Sequence, residues 1–278
     1  MKILISTDIE GVAGVFAVEQ TRAGNPEYER ARRWMTAGGE TRRSKGDVRR
    51  QARRPSGSTT RTGGFRNLLL RRGSTRVRAS VLGKPRTLGM MAGLEQRPDL
   101  VFMIGFHAKS QTRGVLAHTI NSFAFTQVWV NGVELGEAGL YGALAREYGA
   151  HVALATGDDV FVDETRPLFP DARFEIVKTA SGASSGDTLT PAASCARIAA
   201  AARDAVERAL SAGRRAGDHR PAPAACTLRV QTAALADLFC MLPTLERVDA
   251  VTLRFDARSV EHVVRTLNSL SAMSFMLR

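Results

Sequence analysis

The feature that most constrains this chain is an unbroken apolar run, Leu100-Val101-Phe102-Met103-Ile104, set between Asp99 and Gly105 with His107 just past its end. Such a run, short and bounded by polar residues and glycine, reads as a buried strand. Lys2-Ile3-Leu4-Ile5-Ser6 reads the same way and gives way at once to an acidic loop, Asp8-Ile9-Glu10-Gly11. Helical signals alternate with these strands. Asn25-Pro26 supplies an N-cap and a first helical position, ahead of Glu27 and Glu29 at the positive end of the helix dipole. Tyr28, Ala31 and Met35 then fall on one face.

Further along, 123–130 reads as a strand closed by an Asn131-Gly132 turn. Residues 136–148 read as a helix with Glu137 in its first turn and Gly149 as C-cap, and 151–156 as a strand ending at Gly157-Asp158-Asp159. An Ala-rich helix over 191–210 precedes a Gly/Pro/Arg connector, 213–223. Strands over 227–230 and 251–255 and a helix over 259–273 follow. The alternation predicts an α/β fold with a mostly parallel sheet flanked by helices. The expected division is one α/β domain over 1–212 and a smaller C-terminal α/β portion over 224–278.

The net charge of +12 suggests an acidic partner until its origin is located. Residues 41–86 hold fifteen Lys/Arg and one acid, Asp47; the remainder, with 24 basic and 26 acidic residues, is close to neutral. A nucleic-acid binder spreads its cations over a structured face and interleaves aromatic residues, whereas Phe65 is the sole aromatic residue of this segment. The charge therefore argues against nucleic acid as the partner. A non-catalytic binder of nucleic acid or another polyanion built on 41–86 stays as the competing reading. No apolar run reaches the ~18 residues of a membrane span, and the start lacks the basic lead and long apolar middle of a secretory signal. These absences set the expectation of a cytoplasmic protein without a membrane partner. Cys195, Cys226 and Cys240 form no CxxC pair and read as buried thiols.

In open α/β sheets, ligands collect beyond the carboxyl ends of the strands. Three polar clusters belong there: Asp8 with Glu10, His107, and Asp158 with Asp159. Carboxylate oxygen and imidazole nitrogen together suit zinc or a similar divalent ion. Each cluster also has a plainer explanation: a solvated Asp-x-Glu turn, a structural histidine, an ordinary Gly-Asp-Asp turn. Likewise Glu137 suits a helix start through the dipole alone. His151, His219 and His262 match no motif, and Lys178 has no evident role.

Four stretches in order change the balance: Asp8-Ile9-Glu10-Gly11-Val12-Ala13-Gly14, Gly105-Phe106-His107-Ala108, Gly114-Val115-Leu116-Ala117-His118-Thr119 and Gly136-Glu137-Ala138-Gly139-Leu140. Together they resemble the D-aminopeptidase family of zinc metallopeptidases over most of the chain. The resemblance implies that Asp8, Glu10, His107 and Glu137 are metal ligands and His118 the catalytic histidine. It also implies two zinc ions, a short peptide substrate with a D-residue at its N-terminus, and a ring-like homo-oligomer. A relative that hydrolyses another amide would carry the same motifs.

One departure stands out. The family pattern implies a further histidine ligand in an Asn-Asp-Ser-His-Gly-Gly stretch at the end of the second strand; here the matching place reads Thr59-Thr60-Arg61-Thr62-Gly63-Gly64. The residues before it form an Arg-rich segment, 38–62, without periodicity, which the sequence predicts to be disordered and to lack the second strand. Thr-Thr-Arg-Thr can be encoded by ACG-ACT-CGC-ACG. Those letters read one base earlier, after an A, give AAC-GAC-TCG-CAC, which is Asn-Asp-Ser-His. A shifted reading frame over about 39–62 accounts for both the lost motif and the local charge; a genuine basic insertion is the alternative. With Thr62 in place of histidine, the expectation is a weakened metal site and impaired activity.

Overall fold

The computed structural model describes residues 1–39, 59–63, 68–69 and 77–278. Among these residues the strands are β1 (Ile3–Thr7), β2 (Thr59–Gly63), β3 (Val77–Val81), β4 (Leu100–Ile104), β5 (Phe125–Val130), β6 (Val133–Glu134), β7 (His151–Asp158), β8 (Arg173–Gly182), β9 (Ser185–Thr188), β10 (Ala224–Val230), β11 (Glu246–Arg247) and β12 (Thr252–Ala257). The helices are α1 (Pro26–Gly39), α2 (Glu137–Glu147), α3 (Asp159–Thr165), α4 (Pro191–Ser211), α5 (Ala233–Phe239) and α6 (Val260–Met273). No helix among them is long and apolar enough to cross a membrane.

The larger sheet runs β3-β2-β1-β4-β7-β8-β9. It is parallel from β3 to β8, with β9 antiparallel at one edge. The α/β fold with a mostly parallel, helix-flanked sheet is therefore observed. Alternating side chains of β4 serve both faces, which is why its run is unbroken. Val101 and Met103 pack with Leu144 and Tyr141 of α2 and Phe161 of α3. Leu100, Phe102 and Ile104 pack with Ile198, Ala201 and Ala205 of α4. Small alanines on α4 let that helix lie close to the sheet.

The smaller sheet, β11-β12-β10-β5-β6, is antiparallel. It shields its own core of Phe125, Val128, Leu228, Leu253, Phe255 and Phe239 with α5 and α6. β5 and β6 come from the middle of the chain, so this sheet joins residues on both sides of the 213–223 connector. Sequence order alone gave no sign of that partnership, because β5 is joined to β10 by backbone pairing from Cys226↔Val130 to Val230↔Phe125 rather than by adjacency.

The expectation of a structureless segment over 38–62 is corrected at both ends. Gly38 and Gly39 close α1, and Thr59–Gly63 forms β2, paired in parallel with β1 on one side and β3 on the other. The backbone of Thr and Arg accepts extended geometry as well as that of the residues expected there, and β1 supplies the ladder. No edge of β1 is left open, contrary to the expectation of a lost strand. The remaining residues of that segment, 40–58, lie outside the described residues. Asn25 caps α1 as read, its side-chain oxygen accepting the Glu27 amide at 2.9 Å. None of the three cysteines is in a disulfide, but only Cys226 is fully buried.

Phe102 is 2% exposed at the centre of β4. Phe102→Ala should lower unfolding free energy by about 3–5 kcal/mol, measured by urea unfolding. A loss below 1 kcal/mol would show that this face of the sheet is not the packed core described.

Candidate metal centre

The acidic loop after β1 and the histidine loop after β4 meet backbone to backbone. The Asp8 amide donates to Ile104 O and the Gly11 amide to Gly105 O, both at 2.8 Å. A Cβ at Gly11 would collide with the Phe106 carbonyl, and Gly105, at φ +74°, lies against the Asp8 carbonyl. Only glycine allows this approach. It carries Asp8 and Glu10 to one side of His107. On the other side, Glu137 stands at the first position of α2, its Oε1 accepting the Ile120 amide at 2.7 Å.

In the resulting cluster Asp8, His107 and Glu137 are buried, and Glu10 and His118 are half-buried. His107 Nε2 lies 3.4 Å from Asp8 Oδ2 and 3.4 Å from Glu137 Oε1. Its Nδ1 lies 3.0 Å from the Ala108 carbonyl oxygen. That oxygen can only accept, so Nδ1 carries the proton and neutral His107 turns a lone pair on Nε2 toward two carboxylates. Among the described residues Nε2 has no hydrogen-bond partner. Acceptors facing acceptors in a buried pocket need a cation between them, either a proton or a metal ion.

His118 completes the arrangement. Its ring stacks on His107 with centroids 4.0 Å apart and planes 8° apart. Nδ1 lies 2.9 Å from Leu116 O, and Nε2 lies 3.6 Å from Glu137 Oε1. The loop is held in left-handed backbone at Leu116 (φ +55°) and Ile120 (φ +61°), positions that cost a non-glycine residue ~1–2 kcal/mol each. That strain turns the Leu116 carbonyl onto the His118 ring and the Ile120 amide onto Glu137. Asp8, Glu10 and His107 offer ligand atoms within 4.8 Å of one another, as do His107, His118 and Glu137.

Electrostatics agree with a site short of positive charge. Burial, then the charge of Asp8, holds Glu10 well above the usual carboxylate range. Burial pushes His107 down, but the nearby carboxylates of Asp8 and Glu137 outweigh it and hold His107 well above its ordinary value. Burial also opposes ionisation of Asp8, yet His107 keeps it below its usual value. Burial and the neighbouring His107 lower His118. Without a metal, protons on Glu10 and His107 do the work of a cation.

All five residues singled out from the sequence thus converge, while Asp158 and Asp159 stay outside the cluster. Asp158 has a supporting role the sequence did not reveal: its Oδ2 accepts the Val115 amide and its Oδ1 the Phe161 amide, each at 2.7 Å. It ties the start of the His118 loop to α3. Glu164 does the same for Lys109, accepting its amide at 2.8 Å, and burial pushes the Glu164 carboxyl up to about 7. A Gly-Asp-Asp turn could have flagged the first; nothing marks the second. Thr62 is placed by backbone register alone, opposite Ser6 with Gly63 opposite Thr7. It therefore lies at the same end of the sheet as Asp8. His151 sits at the opposite end, beside a cavity of about 480 Å³ lined by Leu100, Phe169 and Ala209 and remote from the cluster.

A family described as D-aminopeptidase matches residues 1–41 and 62–269, passing over 42–61. A curated D-aminopeptidase of Bacillus subtilis (strain 168) is 26% identical over 193 residues, 69% of this chain and 69% of that protein. The solved structure titled Zn-dependent D-aminopeptidase DppA from Bacillus subtilis, a self-compartmentalizing protease, aligns with a TM-score of 0.85. It covers 99% of this chain and 98% of its own at 20% identity, which speaks for the fold.

Glu10 and His107 both have folded-state pKa values raised above their unfolded ones. Their contribution to stability is present below the unfolded values and lost as pH rises through the folded ones. Cation-free protein should therefore lose thermal stability as pH rises from mildly acid to alkaline, and Glu10→Gln should blunt that loss. A melting temperature in chelator that is flat across this range, or equally steep in Glu10→Gln, would contradict the geometry of the cluster.

Proposed function

This chain belongs to the D-aminopeptidase family, and on that premise we propose that it is a zinc-dependent aminopeptidase acting on short peptides with an N-terminal D-residue. The observation that carries the reading is His107 Nε2 facing two carboxylates in a buried pocket, with its other nitrogen fixed as a donor. A divalent cation satisfies all three groups at once. The donor set, one or two imidazoles with carboxylates, suits zinc.

Asp8, Glu10, His107 and Glu137 would hold the metal. Zinc supplies Lewis-acid polarisation of the scissile carbonyl and acidification of a water molecule. The protein's own part is to hold and move protons. His118, with Nδ1 committed to the Leu116 carbonyl and its pKa lowered by burial and by His107, presents an unprotonated Nε2 toward Glu137. It can accept a proton from the attacking water and deliver it to the departing amine. Protonated, it can hydrogen-bond the developing oxyanion. A buried carboxylate such as Asp8 or Glu10 can receive the free ammonium of the substrate. The stacked histidine pair and the strained loop fix these groups before substrate arrives, as proton transfer at hydrogen-bond distance requires.

The chain departs from its family over 42–61, which the family match passes over. This gap coincides with the Arg-rich segment, and we read it as a frame-shifted stretch whose correct frame would restore Asn-Asp-Ser-His at 59–62. With threonine at 62, the second zinc position loses an imidazole donor, and the chain as written is proposed to be impaired. By analogy with the solved self-compartmentalizing relative, a homo-oligomer is proposed.

His118→Ala should lower kcat for release of D-alanine from D-alanyl dipeptides by about 10²–10⁴-fold, with bound zinc unchanged. Retained activity would remove His118 from the reaction. Thr62→His should raise both the zinc retained through dialysis and the rate. If neither changes, the proposed loss of a ligand at β2 is wrong. Zinc-independent hydrolysis, or none in either protein, would count against the function itself.

A further inference from the structure

Lys178 lies in the middle of β8, paired with Asp158 of β7, and is 2% exposed. A buried lysine needs partners for three N–H donors, and here the partners are informative. Nζ donates to the backbone carbonyl of Glu10 at 2.6 Å and to that of Val15 at 2.6 Å. It also lies 5.1 Å from the centroid of the Phe16 ring, within cation–π range. The three contacts gather residues 10–16 around one ammonium. This stretch begins with a carboxylate of the metal cluster and contains no helix or strand of its own.

Other side chains tie the same loop down further along. Gln20 Oε1 accepts the Phe16 and Ala17 amides at 2.7 and 2.9 Å, and Thr188 Oγ1 accepts the Gly14 amide at 2.9 Å. Those contacts fix residues 14–17. Lys178 alone among these three side chains reaches the backbone of Glu10 itself. It also brings a positive charge beneath a pocket that brings Asp8 and Glu10 together.

We propose that Lys178 is a positioning residue for the metal centre, clamping the 10–16 loop through the Glu10 and Val15 carbonyls so that the carboxylates of Asp8 and Glu10 are pre-organised to bind a divalent cation. This rests on the zinc reading above for its consequence, though the clamp itself is a property of the metal-free chain. Its neighbours on the facing elements are Asp158 on β7 and Glu10 on the loop; the negative charge of Asp158 helps keep the buried ammonium in place. Partners that orient ligands from behind are worth about 10–100-fold in metal affinity.

The test uses the full chain with Lys178→Met, which keeps length without charge, and Lys178→Gln, which keeps a donor if the first variant fails to fold. Glu147→Gln is the control: Glu147 caps α6 away from the cluster by accepting the Val260 amide, and its loss destabilises without touching the loop. Zinc affinity is read by competition with a chromophoric chelator, and hydrogen exchange of the 11–16 amides is read in metal-free protein. Expected are a 10–100-fold weaker zinc affinity and faster loop exchange in the Lys178 variants, with Glu147→Gln resembling the parent in both. Parental zinc affinity in the Lys178 variants, or an equal loss in the control, overturns the proposal. If the parent chain binds no zinc, the zinc reading fails; the clamp is then judged on exchange alone, faster exchange supporting it and unchanged exchange overturning it.

Discussion

The site depends on one backbone contact: the loop after β1 lying directly on the loop after β4. Neither Gly11 nor Gly105 carries a Cβ, and with one at Gly11 the Phe106 carbonyl would be displaced. Since β1 and β4 are neighbours in the sheet, with Thr7 level with Ile104, the two loops emerge side by side. The contact then decides what faces what. Asp8 and Glu10 are brought to His107, and the loop bearing His118 is folded back so that the His118 amide donates to Ala108 O at 3.2 Å. A parallel sheet buried on both faces supplies a rigid platform, and the irregular backbone above it supplies the chemistry.

The arrangement is costly as bare protein. Several acceptors converge in a largely buried pocket, and the charged forms of buried carboxylates are poorly solvated. The chain compensates with positive charge and hydrogen bonds from behind: Lys178 under the Glu10 loop, the Ile120 amide on Glu137, and a raised His107 between the carboxylates. A divalent cation bound there would remove the need for protons on Glu10 and His107. Metal binding would then be coupled to folding stability, since the same cation would satisfy groups that otherwise oppose burial.

Much of this was legible in the sequence because it was encoded locally. The β1 and β4 runs, the Asn25 cap, the Gly149 stop of α2 and the order of the glycine-flanked acid and histidine motifs depend on residues within a few positions of one another. The pairing of β5 with β10 was not legible, because it depends on contacts about a hundred residues apart and on which sheet has a free edge. β2 was hidden for a different reason: Thr-Thr-Arg-Thr carries no apolar alternation, and its strand geometry comes from β1 and β3 alongside. Asp158, Glu164 and Lys178 were opaque in another way. Each acts by hydrogen-bonding the backbone of a distant loop, and backbone partners leave no trace in the partner's residue type.

The cluster after β1 and β4 is proposed to be a zinc site. Anomalous diffraction from crystals grown with zinc, recorded on either side of the zinc absorption edge, tests it most directly. An edge-dependent peak is expected in the space bounded by Asp8, His107 and Glu137, and no comparable one at Glu147, His219 and Glu261, the other acid–histidine group among the described residues. A cluster without an edge-dependent peak while zinc is present in the crystal, or a peak confined to the Glu147 group, would contradict it.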